Sequence, residues 1–128
     1  MKTRKINVSI TGCLGRMGQQ LIKSAVKDKR FKINSLTENK KQTKKIFGIL
    51  PKLNSPESFK KSDIIIDFTV PKCTLEVLKI ATKQKKRVII GTTGFTLKEE
   101  KLIQKISKKI PILKAGNMSL GINLLMYL

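Results

Sequence analysis

Near its start the chain reads Lys5-Ile6-Asn7-Val8-Ser9-Ile10-Thr11-Gly12-Cys13-Leu14-Gly15-Arg16-Met17-Gly18-Gln19-Gln20-Leu21-Ile22, and this stretch decides the fold. Residues 5–11 have the β-branched, alternating look of a strand, and beyond the glycines an amphipathic helical pattern runs to about residue 27. A strand that passes through a glycine turn into a helix is the opening of a βα unit. Each glycine has a task in such a turn. Gly12 permits the tight bend, Gly15 leaves the backbone open to an approaching pyrophosphate, and Gly18 lets the helix lie close to the strand. The free N–H groups at the helix start attract phosphate. The spacing Gly-x-x-Gly-x-x-Gly is a variant of the more common dinucleotide-binding Gly-x-Gly-x-x-Gly, and taken alone it also allows a purely structural turn.

The alternation continues outward. A second strand over residues 32–37 ends at Glu38, and the lysine-rich stretch after it reads as a loop or short irregular helix. Ser55-Pro56-Glu57 is an N-cap followed by a first-turn proline, where a missing N–H costs nothing. Ile64-Ile65-Ile66-Asp67-Phe68 opens with a continuous β-branched run, as in a parallel strand buried on both faces. After Pro71 a helix runs to about residue 83 with Leu75, Leu78 and Ala81 along its apolar face. Residues 87–90 form the next strand, and Thr96-Leu97-Lys98-Glu99 is a capping box opening a helix whose inner stripe is Leu102, Ile103 and Ile106. A fifth strand, residues 112–115, ends at Gly116-Asn117-Met118-Ser119. Strands and helices alternating at this spacing predict the α/β class, a Rossmann-type doubly wound parallel sheet with right-handed crossovers. Residues 1–118 make up that domain. Residues 119–128 read as the start of an apolar helix leading to a further domain.

Composition narrows the function. A chain of 128 residues has room for one modest core, and its apolar residues fall in short runs separated by charge. No run approaches the roughly 20 residues that span a bilayer, and the first residues lack the apolar stretch of a signal peptide, so the expectation is a cytoplasmic protein without a membrane partner. Cys13 and Cys73 lie far apart and the chain has no histidine, which gives no metal-ligand spacing and no disulfide framework. The formal charge of +20 points first to nucleic acid. Its carriers are mostly scattered lysines (Lys27, Lys29, Lys40, Lys41, Lys83, Lys85 and Lys86 among them), without the arginine forks and stacking rings that read bases. The expectation is therefore general attraction of anions and no specific nucleic-acid partner. Codon bias in an AT-rich genome would give the same lysine content.

Four strand ends carry the candidate chemistry. Glu38 lies 20 residues after Gly18, where an acid accepts hydrogen bonds from adenosine ribose hydroxyls. That position favours NADH, although Lys40 and Lys41 could meet the 2′-phosphate of NADPH, and a solvated loop carboxylate is the plainer alternative. Gly91-Thr92-Thr93-Gly94 and Ala115-Gly116-Asn117-Met118 follow two further strands, and Asp67-Phe68-Thr69 ends the strand beside them. In an open parallel sheet ligands bind outside the carboxyl ends of the strands, so these turns should converge with the first one. Their hydroxyl, amide and backbone groups suit a nicotinamide carboxamide and ribose, or merely cap the following helices.

Gly-x-x-Gly-Arg-Met-Gly at 12–18, Glu38, Asp-Phe-Thr at 67–69, Gly-Thr-Thr-Gly-Phe at 91–95 and Asn-x-Ser-x-Gly-x-Asn at 117–123 occur in this order. In this the chain resembles the cofactor-binding half of the dihydrodipicolinate reductase family. The resemblance implies an NADH or NADPH site lined by Gly12, Cys13, Leu14, Gly15, Arg16, Met17, Glu38, Asn39, Thr69, Gly91, Thr92, Thr93, Ala115, Gly116, Asn117 and Met118. It further implies an oxidoreductase of lysine (diaminopimelate) biosynthesis that reduces the 4-hydroxy-tetrahydrodipicolinate precursor, a small cyclic dicarboxylate, to tetrahydrodipicolinate, and a homotetrameric full-length enzyme. Two departures matter. Asn39 stands where the family often has an arginine for the 2′-phosphate, and the family's catalytic α+β portion, with its His-His-x-x-x-Lys segment and Ser-Gly-Thr loop, is expected beyond residue 128. On that reading no catalytic residue lies in this chain and the piece alone is inactive. A non-catalytic dinucleotide-binding or redox-sensing module would use the same glycine turn.

Overall fold

A computed structural model describes residues 4–115. The opening strand spans Ile6–Thr11 (β1), turns through the glycines into Arg16–Lys27 (α1) and returns as Phe31–Glu38 (β2). A two-residue strand, Lys52–Leu53 (β3), and a short helix, Pro56–Phe59 (α2), precede Ile64–Asp67 (β4). Then come Pro71–Gln84 (α3), Arg87–Ile90 (β5), Leu97–Ile106 (α4) and Ile112–Lys114 (β6). All neighbouring strands pair in parallel, in the order β3-β2-β1-β4-β5-β6. The chain winds away from β1 toward one edge and from β4 toward the other, so the connections part between β1 and β4. A crevice opens at such a switch point, outside the carboxyl ends of the strands.

Both faces of the sheet are covered, which explains the unbroken apolar run in β4. Ile64 and Ile66 face a core shared with Val8, Ile10, Leu36, Ile89 and, from α1, Leu21, Ile22 and Ala25. Ile65 faces the other way, into a core with Val88, Ile90, Phe59 of α2, Val77, Leu78 and Ala81 of α3, and Ile103 of α4. The predicted helix signals hold. Ser55 accepts the Ser58 N–H at 3.2 Å with Pro56 in the first turn, and Thr96 and Glu99 make both bonds of the capping box. A register shift between Val8 and Ser9 breaks the β1–β2 ladder, and beside it Asn34 Nδ2 donates to Ser9 Oγ, Ser62 Oγ and the Ser58 carbonyl. Ser35 Oγ also donates to that carbonyl at 2.7 Å, so a polar cluster knits β1 and β2 to the end of α2.

Three details differ from the sequence reading. β3 is a sixth strand at the sheet edge, paired through Thr37 and Glu38, where a loop was expected. In α4 Ile103 is buried but Leu102 is 45% exposed, because α4 meets the rest of the domain along a narrow line and Leu102 falls into a half-filled groove beside Leu75 and Ile106. On α3 the buried line is Thr74, Val77, Leu78 and Ala81, while Leu75 borders that groove. The unexpected member, Thr74, is polar because of what it faces at the top of the sheet.

Candidate functional site

The glycine turn is built by close approach. Gly12 sits at φ +67, and a Cβ there would overlap the Phe68 carbonyl oxygen and lie 2.8 Å from the Thr69 methyl carbon. A Cβ on Gly18 would overlap the Gly12 carbonyl and sit 3.0 Å from Cys13 Cα, so α1 can begin here only without a side chain. Gly15 is different: its Cβ would meet nothing nearer than the Gly12 carbonyl at 3.4 Å. Its missing side chain is not demanded by the protein itself and leaves room for a ligand. Gly15 is also the N-cap of α1, with no side-chain cap and no acid in the first turn. A helix N-terminus left in this state presents N–H groups and the positive end of its dipole outward.

Glu38 reaches back over the turn. Its Oε2 accepts the Leu14 N–H at 2.8 Å, and its Oε1 accepts the Asn39 N–H at 3.3 Å. Gly12 and Cys13 donate their N–H groups to the Thr37 carbonyl at 3.0 and 3.3 Å, which anchors the turn to β2. The cleft between these elements has a volume of about 220 Å3 and is lined by Gly12, Gly15, Glu38, Asn39, Asn54, Phe68, Thr69, Val70 and Cys73.

Of the residues singled out in the sequence, this cleft gathers Gly12, Gly15, Glu38, Asn39 and Thr69. Leu14 and Arg16 lie exposed at its rim and Met17 is half-buried. Cys13 turns into the core, where burial and then the Glu38 carboxylate push its thiol up to about 11, so it is a neutral apolar group there. Gly91 does not line the cleft itself, but its missing side chain makes room for the ring of Phe68, which does. Thr92 is buried and Thr93 exposed, and Ala115 is buried with its N–H on the Ile90 carbonyl at 2.8 Å. Gly116, Asn117 and Met118, and the apolar segment 119–128, lie outside the described residues.

The cleft also has walls that sequence reading missed. Asn54 follows β3, which was too short to recognise, and its buried Oδ1 has no hydrogen-bond partner among the described residues. Val70, 55% exposed, and Cys73 come from the head of α3. An uncapped helix start, an acid over the turn and an open Cβ direction at Gly15 fit a dinucleotide. Glu38 and Asn39 would meet its adenosine ribose and Gly15 its pyrophosphate. Among the described residues no helix is long and apolar enough to cross a membrane, and no cluster of acidic, cysteine or histidine side chains could hold a metal ion.

Comparison with known proteins agrees with this geometry. Residues 6–118 match the family model described as dihydrodipicolinate reductase, N-terminus. A 4-hydroxy-tetrahydrodipicolinate reductase of Pelagibacter ubique (strain HTCC1062) is 69% identical over 98% of this chain and 48% of its own length. Another, of Buchnera aphidicola subsp. Baizongia pistaciae, is 41% identical over the whole chain and 51% of its own length. The chain thus spans about half the length of the curated relatives it matches. Among solved structures, a dipicolinate-bound dihydrodipicolinate reductase from Paenisporosarcina sp. TG-14 superimposes with a TM-score of 0.69 at 24% identity, over 96% of this chain and 51% of that one. A homoserine dehydrogenase of S. aureus superimposes with a TM-score of 0.71 at 17% identity, over 88% and 32%. At these identities the likeness is one of fold.

Proposed function

Because the chain belongs to the dihydrodipicolinate reductase family, we propose that it is the cofactor-binding half of an NAD(P)H-dependent reductase acting on 4-hydroxy-tetrahydrodipicolinate in lysine biosynthesis. The cofactor supplies the hydride. The chain's own residues hold and orient it: the start of α1 and Gly15 take the pyrophosphate, Glu38 the adenosine ribose, and Thr69 with the 91–93 turn the nicotinamide side. Glu38 favours NADH, since its carboxylate would face the 2′-phosphate of NADPH and Asn39 offers no compensating charge. Residues 1–118 form the cofactor domain and 119–128 lead out of it. The 128 residues contain no histidine, and on the family resemblance the proton that completes the reduction and the groups that grip the dicarboxylate come from outside them. A homotetrameric, cytoplasmic enzyme is the setting that the family membership supports.

One observation carries this reading, the uncapped start of α1 at an unobstructed Gly15 beneath Glu38. Calorimetric titration of the 128-residue chain tests it. NADH should bind with a micromolar dissociation constant, about 8 kcal/mol, and more tightly than NADPH, while the chain alone turns over no substrate. No heat of binding up to millimolar NADH would remove the cofactor site.

A further inference from the structure

Asp67, the last residue of β4, is fully buried, and its partners are hydroxyls drawn from four separate segments. Thr11 at the end of β1 and Thr69 donate to Oδ1, the latter at 2.9 Å. Thr74 in the first turn of α3 and Thr92 after β5 donate to Oδ2, the latter at 3.1 Å. A carboxylate accepts only, at about four lone-pair sites, so these four donors saturate it. One side chain therefore ties together the ends of β1, β4 and β5 and the head of α3, all of which border or support the cleft.

The same arrangement sets the polarity of the hydroxyls. Each threonine has one hydroxyl proton, and a proton given to Asp67 leaves only lone pairs for other partners. Thr92 shows the consequence: its Oγ accepts the Thr69 N–H at 2.8 Å. For Thr69 the competing acceptors are the Val70 carbonyl at 3.3 Å and the Thr74 Oγ at 3.4 Å, both longer and uncharged, so the bond to Asp67 wins. Of the four threonines Thr69 is the one that lines the cleft. Its free lone pairs can meet a ligand O–H or N–H, and they repel a phosphate oxygen.

We propose that Asp67 is the positioning residue of this cleft, and that by taking the Thr69 proton it makes Thr69 an acceptor reserved for a hydroxyl or amide donor on the nicotinamide half of the cofactor. This rests on the dinucleotide reading above. Asp67→Asn keeps the shape and disturbs the polarity wherever its amide NH2 settles. At the Oδ1 position the NH2 turns the Thr69 hydroxyl around. At the Oδ2 position it turns Thr92, which holds the Thr69 N–H.

The test compares two probes on the 128-residue chain: NADH, which carries the nicotinamide half, and ADP, which does not. In Asp67→Asn and Thr69→Val, NADH should weaken about tenfold, the scale of one hydrogen bond, while ADP shifts less than twofold. Thr69→Ser, which keeps the hydroxyl, should restore NADH. Equal losses for NADH and ADP in Asp67→Asn would make Asp67 a merely structural residue, and unchanged NADH in Thr69→Val would remove the acceptor role. If Asp67→Asn fails to fold, the Thr69→Val and Thr69→Ser pair decides. A wild-type chain that binds neither probe overturns the cofactor reading itself, and this inference falls with it.

Discussion

The two ends of the sheet make opposite uses of charge and space. At the amino ends of the strands lies a hollow of about 500 Å3 ringed by Arg4, Lys5, Lys85, Lys86 and Arg87, more than twice the volume of the cleft at the carboxyl ends. By volume and positive charge the lower end looks the better anion site. Yet part of its charge is already spent: Arg4 pairs with Asp63 at 2.5 Å, Asp63 also accepts the Asn7 N–H, and Lys86 Nζ donates to the Lys60 carbonyl. The upper end has fewer charges, but there an uncapped helix and a glycine without a steric neighbour leave directional donors unspent. A site is marked by unsatisfied, oriented groups more than by volume or net charge.

The sharpest way to break this contrast is inside the glycine turn. Gly12→Ala combines a left-handed backbone with overlap on the Phe68 carbonyl, and should cost roughly 2–5 kcal/mol of stability in urea unfolding. Gly18→Ala should do likewise by forcing α1 off Cys13. Gly15→Ala should stay within about 1 kcal/mol of wild type, since its Cβ finds only the Gly12 carbonyl at 3.4 Å. Gly15→Val should fold and yet lose several kcal/mol of NADH affinity, against the roughly 8 that a micromolar complex represents. A Gly15→Val chain with intact NADH binding would place the pyrophosphate elsewhere.

Glu38 gives the next effect. Removing charged hydrogen bonds to the ribose costs about 1.5–3 kcal/mol, so Glu38→Ala should weaken NADH by roughly ten- to a hundredfold. NADPH should weaken less or improve. Because Glu38 also accepts the Leu14 N–H, Glu38→Ala should loosen the turn as well, and Glu38→Gln, which keeps an acceptor, should recover part of the loss. Equal losses for both cofactors in Glu38→Ala would mean that the carboxylate acts only on the turn.

How much of this was legible in the sequence follows from the range of each interaction. The Thr96–Glu99 capping box and the Ser55 cap were readable because every partner lies within three residues. Gly12 and Gly18 were readable because strand, turn and helix are contiguous. Glu38 was readable as an acid at a strand end, but its bond to Leu14 spans 24 residues and was not. Half of the cage around Asp67 was invisible for the same reason, since Thr11 and Thr92 lie 56 and 25 residues from it, whereas Thr69 and Thr74 are near in sequence but show no purpose without the other two. Thr74 left one trace, a hydroxyl on an otherwise apolar helical line. Leu102 was misplaced because periodicity shows which face of a helix is apolar, not how much of that face the fold covers. β3 is two residues long, below what any pattern can show.

A smaller effect separates the core side of the glycine turn from its ligand side. Burial pushes the Cys13 thiol up to about 11, from about 9 when unconstrained. Between those two values the unfolded chain gives up a proton that the folded chain keeps, so the stability this thiol contributes is full below pH 9 and is lost as pH rises toward 11. The loss should be of order 2 kcal/mol, read as the difference between wild type and Cys13→Ala in urea unfolding across that range. Two parallel curves would show that Cys13 is not held neutral by the fold.

The smallest effect is expected at the lower end, and it tests whether that hollow is idle with respect to the cofactor. Arg4 is an exposed partner of Asp63, with 76% of its side chain accessible, and exposed pairs contribute about 0–1 kcal/mol because water and salt already screen them. In Arg4→Ala the Asp63 carboxylate still accepts the Asn7 N–H at 2.8 Å, so no buried charge is left without a partner. Stability should therefore change by less than about 1 kcal/mol. NADH affinity should change by less than twofold, because one charge of a net +20 at the far end of the sheet alters the field at α1 only slightly. Should Arg4→Ala weaken NADH by as much as Glu38→Ala does, the larger hollow binds the cofactor and the two ends of the sheet exchange roles.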